Sequence, residues 1–391
     1  MTQENEPSIR VGIIGAGNCA RALVEGIACY RAQHRDSPFP AGLAVPSGGP
    51  NGLMHTQIGP YLPGHIEPVA AWDVSAHKVG KDLWTAISAP PNLPVGILSG
   101  DAQAWDGSYA DIVGSGVTVL RGPTLDGAGD RMRARVELAA DWPSYDGAEI
   151  IDTIHQAGVD VLINYLPVGS EAATEWWAHT ALEAGVSFVN CIPVFLASRD
   201  YWADAFRNAG LVLLGDDIKS QLGATYLHRA LVQAFSDRGI RLDRTYQLNV
   251  GGNMDFANLM DASRTGSKIE SKTGAVLDAY QGVLTPADVH IGPSDFVPWL
   301  GDTKVAMIRC EGRGFAGAPL VIDVRMEVPD SPNSAGVVVD AVRIAKLAAD
   351  RHDLTVAASC SAFLFKRPPR DVAMLTDEAA LCDLNAWLAT S

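Results

Sequence analysis

The sequence has few of the features that would place it in a membrane or outside the cell. It contains no run of about 18 or more apolar residues, the length that a membrane-spanning helix needs, so we expect no membrane partner. Its polar opening, MTQENEPSIR, lacks the apolar core of a secretory signal. The six cysteines are scattered without a CxxC pair, which is typical of reduced thiols. These absences predict a cytoplasmic protein.

Basic residues are scarce beside acidic ones. The 391 residues include 30 Lys and Arg against 45 Asp and Glu, which gives a formal net charge of −15. Because this charge repels nucleic-acid backbones, we expect no nucleic-acid partner, and a phosphorylated ligand would need a local basic pocket. Metal-site spacings such as HExxH and CxxC are absent, so no metal site is predicted, and a cation requirement stays open.

What the sequence does have is an alternation of apolar runs and helical patterns. Most of the predicted strands are separated by helical patterns, and the alternation predicts an α/β protein with a Rossmann-like, doubly wound parallel sheet. Residues 31–51 are rich in Pro, Gly and Ser and predict a loop. The predicted strands are 9–14, 67–74, 117–122, 159–167, 186–193 and 211–217.

A glycine turn follows the first predicted strand. Gly15 and Gly17 allow the backbone to approach a pyrophosphate closely, and Ala20 replaces the usual third glycine. Asp73 ends the second predicted strand, where it would bind the adenosine ribose and favour NAD over NADP. The alternative, that Asp73 caps the next helix, stays open because its distance from the turn far exceeds the usual spacing of about 20 residues.

After about residue 240 the pattern changes. Strand-like runs lie close together with little helix between them, and a helical pattern returns at 334–351. Because a chain of 391 residues usually exceeds one core, this change predicts a second α+β domain with a mixed or antiparallel sheet.

Four lysines in this half of the chain are candidates for an anion-handling site. Lys268 and Lys272 lie four residues apart, on one face if the segment is helical. Lys304 stands in GDTKVAM, and Lys366 follows the apolar run AFLF, which should hold its backbone near the core. Since most lysines are solvated surface charges, each of them alone is also compatible with an ordinary surface position.

Many segments together resemble one family. GNCA, NYLPVGSEAA, GDDIKSQLGAT, LNVGGNMDFANL, SKIESKT, GDTKVAM and DSPNSAG are similar to the motifs of myo-inositol-1-phosphate synthases, in the family's order. GLMHTQIGPY and RGPTLDG are similar to the actinobacterial branch. The resemblance runs from about residue 8 to 369 and is weak in 31–51 and in the last 20 or so residues.

This resemblance implies an NAD-dependent, redox-neutral cyclase of a hexose 6-phosphate. Glucose 6-phosphate would be oxidised at C5, deprotonated at C6 and closed by attack of C6 on the C1 aldehyde. Reduction at C5 would then give myo-inositol 1-phosphate. Lysines suit this chemistry because ammonium groups in a dry site stabilise enolate and aldolate oxygens, and a lysine crowded by other cations can also carry a proton.

When the sequence is matched to the family position by position, the resemblance implies three sets of site residues: catalytic, cofactor-binding and substrate-binding. Ser220 and Thr225 are expected to bind phosphate just before a helix. The implied catalytic residues are Lys268, Lys272, Lys304, Lys366, Asp217, Lys219 and Asp330. The cofactor residues, including the glycine turn, are Gly15, Gly17, Asn18, Cys19, Ala20, Asp73, Tyr165, Pro167, Gly169, Asn190 and Asp216. The substrate residues are Ser220, Thr225, Asn249 and Asn253.

Three positions depart from the family's pattern. Glu270 stands between two of the lysines, Phe296 replaces a usual His or Tyr, and Pro329 replaces a usual aromatic residue. These changes fit neutral drift, and they fit equally a specialised-metabolism paralogue. With fructose 6-phosphate, C6 would attack the C2 ketone and close a five-membered ring. A third possibility, a silent NAD-binding regulator, is disfavoured because all four lysines are retained.

The resemblance also implies a domain arrangement and an assembly. We predict an NAD-binding Rossmann-like domain from residues 1–225 and 336–391, and a catalytic and tetramerisation domain from 226–335. The family is typically tetrameric, so a homotetramer assembled through the strand-rich domain is expected.

Overall fold

The computed structural model describes most of the chain. The described residues are 7–34, 52–95, 116–140, 147–261, 264, 266–280, 282 and 284–390. Within these ranges, no helix combines the length and the apolarity needed to cross a membrane.

Six strands form a parallel sheet in the order β3-β2-β1-β4-β5-β6. The direction of chain winding reverses between β1 and β4, and such a reversal is where ligands bind at the carboxyl ends of the strands. The strands are β1 (Ile9–Ile14), β2 (Ile66–Asp73), β3 (Val119–Arg121), β4 (Val161–Asn164), β5 (Ser187–Asn190) and β6 (Leu213–Leu214).

The α-helices of the described residues follow the predicted alternation in the first half of the chain. They are α1 (Asn18–His34), α2 (Leu83–Ser88), α3 (Asp130–Arg133), α4 (Gly147–Gln156), α5 (Glu171–Ala184), α6 (Asp200–Asn208), α7 (Ala224–Asp237), α8 (Met254–Leu259), α9 (Gly266–Leu277), α10 (Asp330–Asp350), α11 (Val356–Leu364) and α12 (Asp377–Leu388).

Helices cover both faces of the parallel sheet. In β4, Val161 and Ile163 belong to a core shared with α1, α10 and α11, whereas Leu162 belongs to a core shared with α4, α5 and α6. Because both faces are covered, the strands are continuously apolar rather than alternating. The predicted Rossmann-like, doubly wound fold is confirmed.

A second, four-stranded sheet has the order β10-β9-β7-β8. Its β7–β8 pair is parallel, while β7–β9 and β9–β10 are antiparallel, so the sheet is mixed. One face packs on α7 and α9 through Val232 and Val276. The strands are β7 (Arg241–Gly251), β8 (Val289–Phe296), β9 (Thr303–Arg313) and β10 (Pro319–Pro329).

The structure corrects three details of the predicted elements. Residues 31–34 belong to α1, and the rest of that predicted loop, 35–51, lies outside the described residues. Helices α8 and α9 lie between β7 and β8, where little helix was expected. Of the predicted strand 211–217, only Leu213–Leu214 pairs in the sheet. The following residues bond instead to the segment after α11, where the Asp216 N–H donates to the Arg367 carbonyl at 2.8 Å.

The two sheets are connected by helices that cross the predicted domain limits. The limit at 225/226 falls inside α7, and the limit at 335/336 falls inside α10. Helix α10 begins beside the second sheet and then packs under the first, so the two halves share a core element.

Candidate active site

One cavity lies at the carboxyl ends of the parallel strands and extends to the second sheet. It brings together residues that the sequence predicted for cofactor, substrate and catalysis, although they come from distant parts of the chain. Of the predicted site residues, those lining it are Gly15, Gly17, Asn18, Cys19, Asp73, Tyr165, Pro167, Asp217, Ser220, Thr225, Asn253, Lys272, Lys304, Asp330 and Lys366.

The glycine turn forms one end of this cavity, which is called the cofactor end because the sequence predicts cofactor binding there. Gly15 has φ +94°, and a Cβ there would lie 2.8 Å from the Tyr165 carbonyl oxygen, so no larger residue fits the turn. A Cβ at Gly17 would meet no atom within 4 Å, because this glycine faces open space. Ala20 is buried under the turn instead of lining the cavity. The open space beside Gly17 and the start of α1 fit a bound dinucleotide pyrophosphate.

Asp73 does not cap the next helix, because Asp82 is the N-cap of α2, and the role of Asp73 at the ribose stays a prediction. Its carboxylate lines the cavity and also accepts hydrogen bonds from the Ala16, Val74 and Ser75 N–H groups, each at 2.8 Å. Lys78, which sequence reasoning missed, lies with its Nζ 3.7 Å from an Asp73 oxygen. Its ammonium donates to the Ala16 carbonyl at 2.8 Å, so it ties the glycine turn to the end of β2.

Two groups beside the turn are kept neutral by burial. The Tyr165 hydroxyl is buried without a hydrogen-bond partner among the described residues, and burial raises its pKa well above the usual value. Burial, assisted by Asp330, raises the pKa of the Cys19 thiol to about 12. A neutral, hydrogen-bonded thiol is not a nucleophile, so Cys19 contributes shape rather than reactivity.

Three residues that were predicted to bind the cofactor lie behind the cavity wall and do not line the cavity: Asn190, Asp216 and Gly169. The Asn190 amide donates to the Asp216 carboxylate at 2.8 Å, and Asp216 accepts from the Leu196 N–H at 2.9 Å. Burial raises the pKa of Asp216 to about 6. Gly169 has φ +82°, and a Cβ there would collide with Arg264 at 2.8 Å. Their predicted cofactor roles stay predictions.

Lys366 enters the cavity paired with Asp217. Its ammonium donates to the Asp217 carboxylate and to the Ile218 carbonyl, both at 2.7 Å. The second Asp217 oxygen accepts from the Ser271 hydroxyl of α9 at 2.9 Å. The pair is therefore held by segments far apart in the sequence.

A second polar group surrounds Lys304. Its ammonium donates to Asp330 at 3.1 Å, and the Asn253 amide donates to Asp330 at 3.3 Å and to Asp302 at 3.1 Å. Asp302 also accepts from the Asn18 amide at 3.1 Å, and burial raises its pKa. Asp302 was not among the residues predicted from the sequence, although it stands two residues before Lys304 in GDTKVAM and could have been predicted from that motif. It connects the start of α1 with the lysine end of the cavity.

The remaining predicted lysines have different surroundings. Helix α9 confirms that Lys268 and Lys272 share a helical segment, and Lys272 lines the cavity while only 5% exposed. The side chain of Lys268 lies outside the described part of the chain. Lys219 is buried and absent from the cavity lining, and its ammonium donates to the Ala362 and Phe363 carbonyls and to Asp377.

The predicted substrate residues lie near the start of α7 and on β7. Ser220 and Thr225 line the cavity, but Thr225 is in the first turn of α7 rather than before the helix. Asn249 does not line the cavity, because its amide donates to the Gly292 carbonyl at 3.0 Å and its oxygen accepts from Gln247 at 3.0 Å. Gln247, which was not predicted, lines the cavity instead.

The three departures from the family pattern are absent from the cavity lining. Glu270 is exposed and lies 3.2 Å from Arg367 on the outer side of α9. The Phe296 ring lies under the Arg135 guanidinium, 5.8 Å from ring centre to the cation. Pro329 is exposed at the residue before α10. Among the described residues, these three positions therefore form no part of the cavity wall.

The cavity combines a dinucleotide-type turn with an end that contains lysines. Lys272, Lys304 and Lys366 line that end together with three carboxylates, those of Asp217, Asp255 and Asp330, and Lys366 pairs with Asp217 while Lys304 pairs with Asp330. Such an arrangement can bind a phosphorylated sugar next to a redox cofactor and stabilise negative charge on oxygen.

Comparisons with known proteins show which sequences and structures this chain is similar to. Residues 223–331 match the family model for myo-inositol-1-phosphate synthase. The chain is 45% identical to inositol-3-phosphate synthase of Mycolicibacterium smegmatis, covering 98% of this chain and 99% of the relative. It is 45% identical to inositol-3-phosphate synthase of Corynebacterium glutamicum, covering 97% and 98%. The crystal structure of Ari2 is similar with a TM-score of 0.73 and 32% identity, covering 97% of this chain and 99% of that one.

Proposed function

The chain belongs to the myo-inositol-1-phosphate synthase family of enzymes, and from this premise we propose that it converts glucose 6-phosphate into myo-inositol 1-phosphate with bound NAD. The observation that carries the proposal is the single cavity in which the glycine turn and three lysines meet. A cyclisation that begins and ends with redox steps needs a nicotinamide site and an oxyanion site within reach of one sugar.

The cofactor end of the cavity supports a nicotinamide dinucleotide. When bound there, it would supply the hydride acceptor and donor for oxidation and later reduction at C5. Gly15 and Gly17 would hold its pyrophosphate at the start of α1, and Asp73 would lie at the ribose. A 2′-phosphate would be repelled by Asp73, although Lys78 offsets part of that charge. We therefore propose NAD rather than NADP.

The phosphate end of the substrate would lie at the start of α7. Helix N-termini attract anions because their first N–H groups lack intrahelical acceptors. Helix α7 begins after Gly223, which has no side chain to cap those groups. Ser220 and Thr225 line the cavity at this point and would add hydroxyl donors.

The lysines would act on the oxygens that become negative during ring closure. Removing a C6 proton beside the C5 ketone places charge on the C5 oxygen, and attack on the C1 aldehyde places charge on the C1 oxygen. Lys366, Lys304 and Lys272 line the cavity and would stabilise these charges. Asp217 and Asp330 hold two of the ammonium groups in place before substrate binds.

Glucose 6-phosphate is the substrate that the cavity supports best. The positions that suggested a fructose 6-phosphate paralogue, Glu270, Phe296 and Pro329, do not line the cavity. The 45% identity to two inositol-3-phosphate synthases covers nearly the whole chain. No observation in the cavity favours the five-membered ring.

We also propose the assembly and location that the resemblance implied. Strand β10 pairs only with β9 among the described residues, so its other edge offers backbone groups to another copy in a homotetramer. The domain division at 225/226 and 335/336 remains part of this proposal. The six free cysteines suit the reducing cytoplasm.

Product analysis tests the proposal. The purified protein should convert glucose 6-phosphate, with NAD present only in catalytic amount, into a six-membered cyclitol phosphate identified by NMR. Free NADH should not accumulate, and NADP should support slower turnover. A five-membered ring from fructose 6-phosphate as the efficient reaction would contradict the substrate, and NADH formed in proportion to product would indicate an ordinary dehydrogenase.

A further inference from the structure

A buried ion group lies behind the lysine end of the cavity and includes Lys219, Arg229 and Asp377. The Asp377 carboxylate accepts from Lys219 on one oxygen and from Arg229 Nε, at 2.8 Å, on the other. Lys219 and Arg229 are 4% and 6% exposed, and the Asp377 side chain is 14% exposed. Asp377 is the first residue of α12.

Lys219 uses its ammonium to hold the end of α11. It donates to the Ala362 carbonyl at 2.8 Å and to the Phe363 carbonyl at 3.0 Å. These carbonyls belong to the last turn of α11, where no helical N–H is left to bond them and where cations are favoured. Asp377 takes the third donor of the ammonium, so the Lys219 side chain acts as a cap for α11.

The position of Lys366 depends on the end of α11. Lys366 follows the last residue of α11 by two positions, and its N–H donates to the Asp217 carbonyl at 2.8 Å. The Lys219 N–H donates to the Leu364 carbonyl, also at 2.8 Å. These bonds hold residues 364–367 beside residues 216–219, which places the Lys366 ammonium against the Asp217 carboxylate.

Arg229 connects Asp377 to α9, the helix that contains Lys272. Its guanidinium donates to the Ala275 carbonyl at 2.5 Å and to the Leu375 carbonyl at 3.1 Å. Ala275 lies three residues after Lys272 on α9. The Asp377 carboxylate therefore bonds to Lys219, which holds the end of α11 near Lys366, and to Arg229, which holds the helix that contains Lys272.

Charge balance makes Asp377 the central member of the group. Two cations with almost no contact with water both bond to the Asp377 carboxylate, and a buried charge left without its partner is strongly unfavourable. Burial lowers the pKa of Lys219 to about 8. Burial acts to raise the pKa of Asp377, but the adjacent cations Lys219 and Arg229 outweigh it, so the pKa of Asp377 lies below its usual value. At neutral pH Lys219 and Asp377 are therefore both charged.

We propose that Asp377 is a positioning residue for ring closure, which holds Lys366 and Lys272 in the cavity through Lys219 and Arg229. This proposal rests on the cyclase function proposed above. It gives Lys219 a different role from the one implied by the resemblance, because its ammonium is engaged by protein acceptors behind the cavity. Loss of Asp377 should therefore lower the catalytic rate more than it weakens substrate binding.

Kinetics of three variants separate positioning from binding and folding. Asp377→Asn removes the charge, Asp377→Glu keeps it while moving it by one methylene, and Glu378→Gln removes the adjacent exposed charge of α12 as the matched control. We expect Asp377→Asn to lower kcat roughly 10- to 100-fold, because small misplacements of catalytic groups have large effects on rate. KM for glucose 6-phosphate and Kd for NAD should stay within about twofold. Asp377→Glu should recover part of kcat, and Glu378→Gln should match the wild type.

Three outcomes would overturn the proposal. An unchanged kcat per folded molecule with a lower Tm would make Asp377 a stability residue only. A large rise in KM with unchanged kcat would make Lys219 a substrate ligand. If Asp377→Asn does not fold, Asp377→Glu serves as the test, and wild-type kcat in that variant contradicts positioning.

A structural readout separates this proposal from the cyclase function. If the wild type does not cyclise glucose 6-phosphate, the proposed function fails on that result alone. Crystal structures of the wild type and Asp377→Glu then decide the positioning proposal. We expect the 2.7 Å contact between Lys366 and Asp217 to lengthen or split into two conformers in the variant, and an unchanged contact would refute the positioning.

Discussion

Lysines of the same predicted site differ in what their ammonium groups touch. Lys366 lines the cavity and is held by Asp217 and one carbonyl, whereas Lys219 is buried behind the cavity against two carbonyls and Asp377. Since an oxyanion is stabilised only by donors that can reach it, the first lysine fits a direct role and the second an indirect one. Residue type alone does not separate them.

Replacing Lys366 with methionine should slow ring closure without unfolding the protein. Lys366→Met keeps much of the side-chain length but removes the ammonium, so kcat should fall about 100-fold, as for the loss of one oxyanion donor. NAD affinity should change little, whereas Tm should fall, because the buried Asp217 carboxylate loses its partner ammonium. Steady-state kinetics, NAD titration and thermal melting check this, with the exposed Lys81→Met as control. A rate within a few-fold of wild type would contradict the assignment.

At the scale of elements, β1, the glycine turn and α1 form the cofactor end of the cavity from one continuous segment. The Gly15 N–H donates to the Trp72 carbonyl at 2.8 Å, which links the turn to the end of β2. The Tyr165 carbonyl lies so close to Gly15 that the turn also depends on the end of β4. Sequence pattern predicted this unit well because strand, turn and helix are adjacent in the chain.

Replacing Gly15 with alanine should damage this unit. The new Cβ would lie 2.8 Å from a backbone oxygen, and φ +94° is unfavourable for alanine, so both stability and NAD affinity should fall. Gly26→Ala, inside α1 with no atom within 4 Å of its Cβ, is the matched control. The control should stabilise the protein by about 0.4–1 kcal/mol. Urea unfolding measures the stability and NAD titration measures the NAD affinity of each variant. Equal results for Gly15→Ala and Gly26→Ala would refute the steric argument.

At the scale of the whole molecule, a buried ion network joins the segment after residue 51 to α10 and α12. His55 lies 2.6 Å from Asp340 of α10 and 3.2 Å from Asn385 of α12. Asp340 also pairs with Arg343, and both are fully buried. The Arg343 guanidinium donates to the His55 carbonyl at 2.7 Å. This network fastens the segment after residue 51 to the helix that runs under the first sheet.

The network should make stability depend on pH. The hydrogen bond to Asp340 raises the pKa of His55 above its unfolded value of about 6.5. Its stabilisation is therefore complete below about pH 6.5 and is lost as pH rises through the folded-state pKa. Urea unfolding from about pH 5.5 to 8.5 should show the wild type losing its advantage over His55→Gln as pH rises. The exposed His77→Gln should follow the wild type, and a constant difference between wild type and His55→Gln would contradict the argument.

The residues of the site were predictable to different degrees. Gly15 and Asp73 follow from local patterns, a glycine turn and the end of a strand, whereas Lys366 was identified through the family resemblance. Asp302 was missed, although it lies beside Lys304, and Asp377 was missed because no motif surrounds it. Asn249 was matched to the substrate, yet its amide is bonded to Gly292, and that contact depends on how β7 pairs with β8.

The sequence by itself determined the alternation of strands and helices, the glycine turn and the set of lysines, because each depends on residues close together in the chain. Only the tertiary structure decided which of those lysines line the cavity. Lys219 and Lys366 are both directed by contacts across more than a hundred residues, the first with Asp377 and the second with Asp217. Periodicity and motif spacing describe local backbone, whereas the direction of a buried ammonium depends on which distant carboxylate and carbonyl groups pack around it.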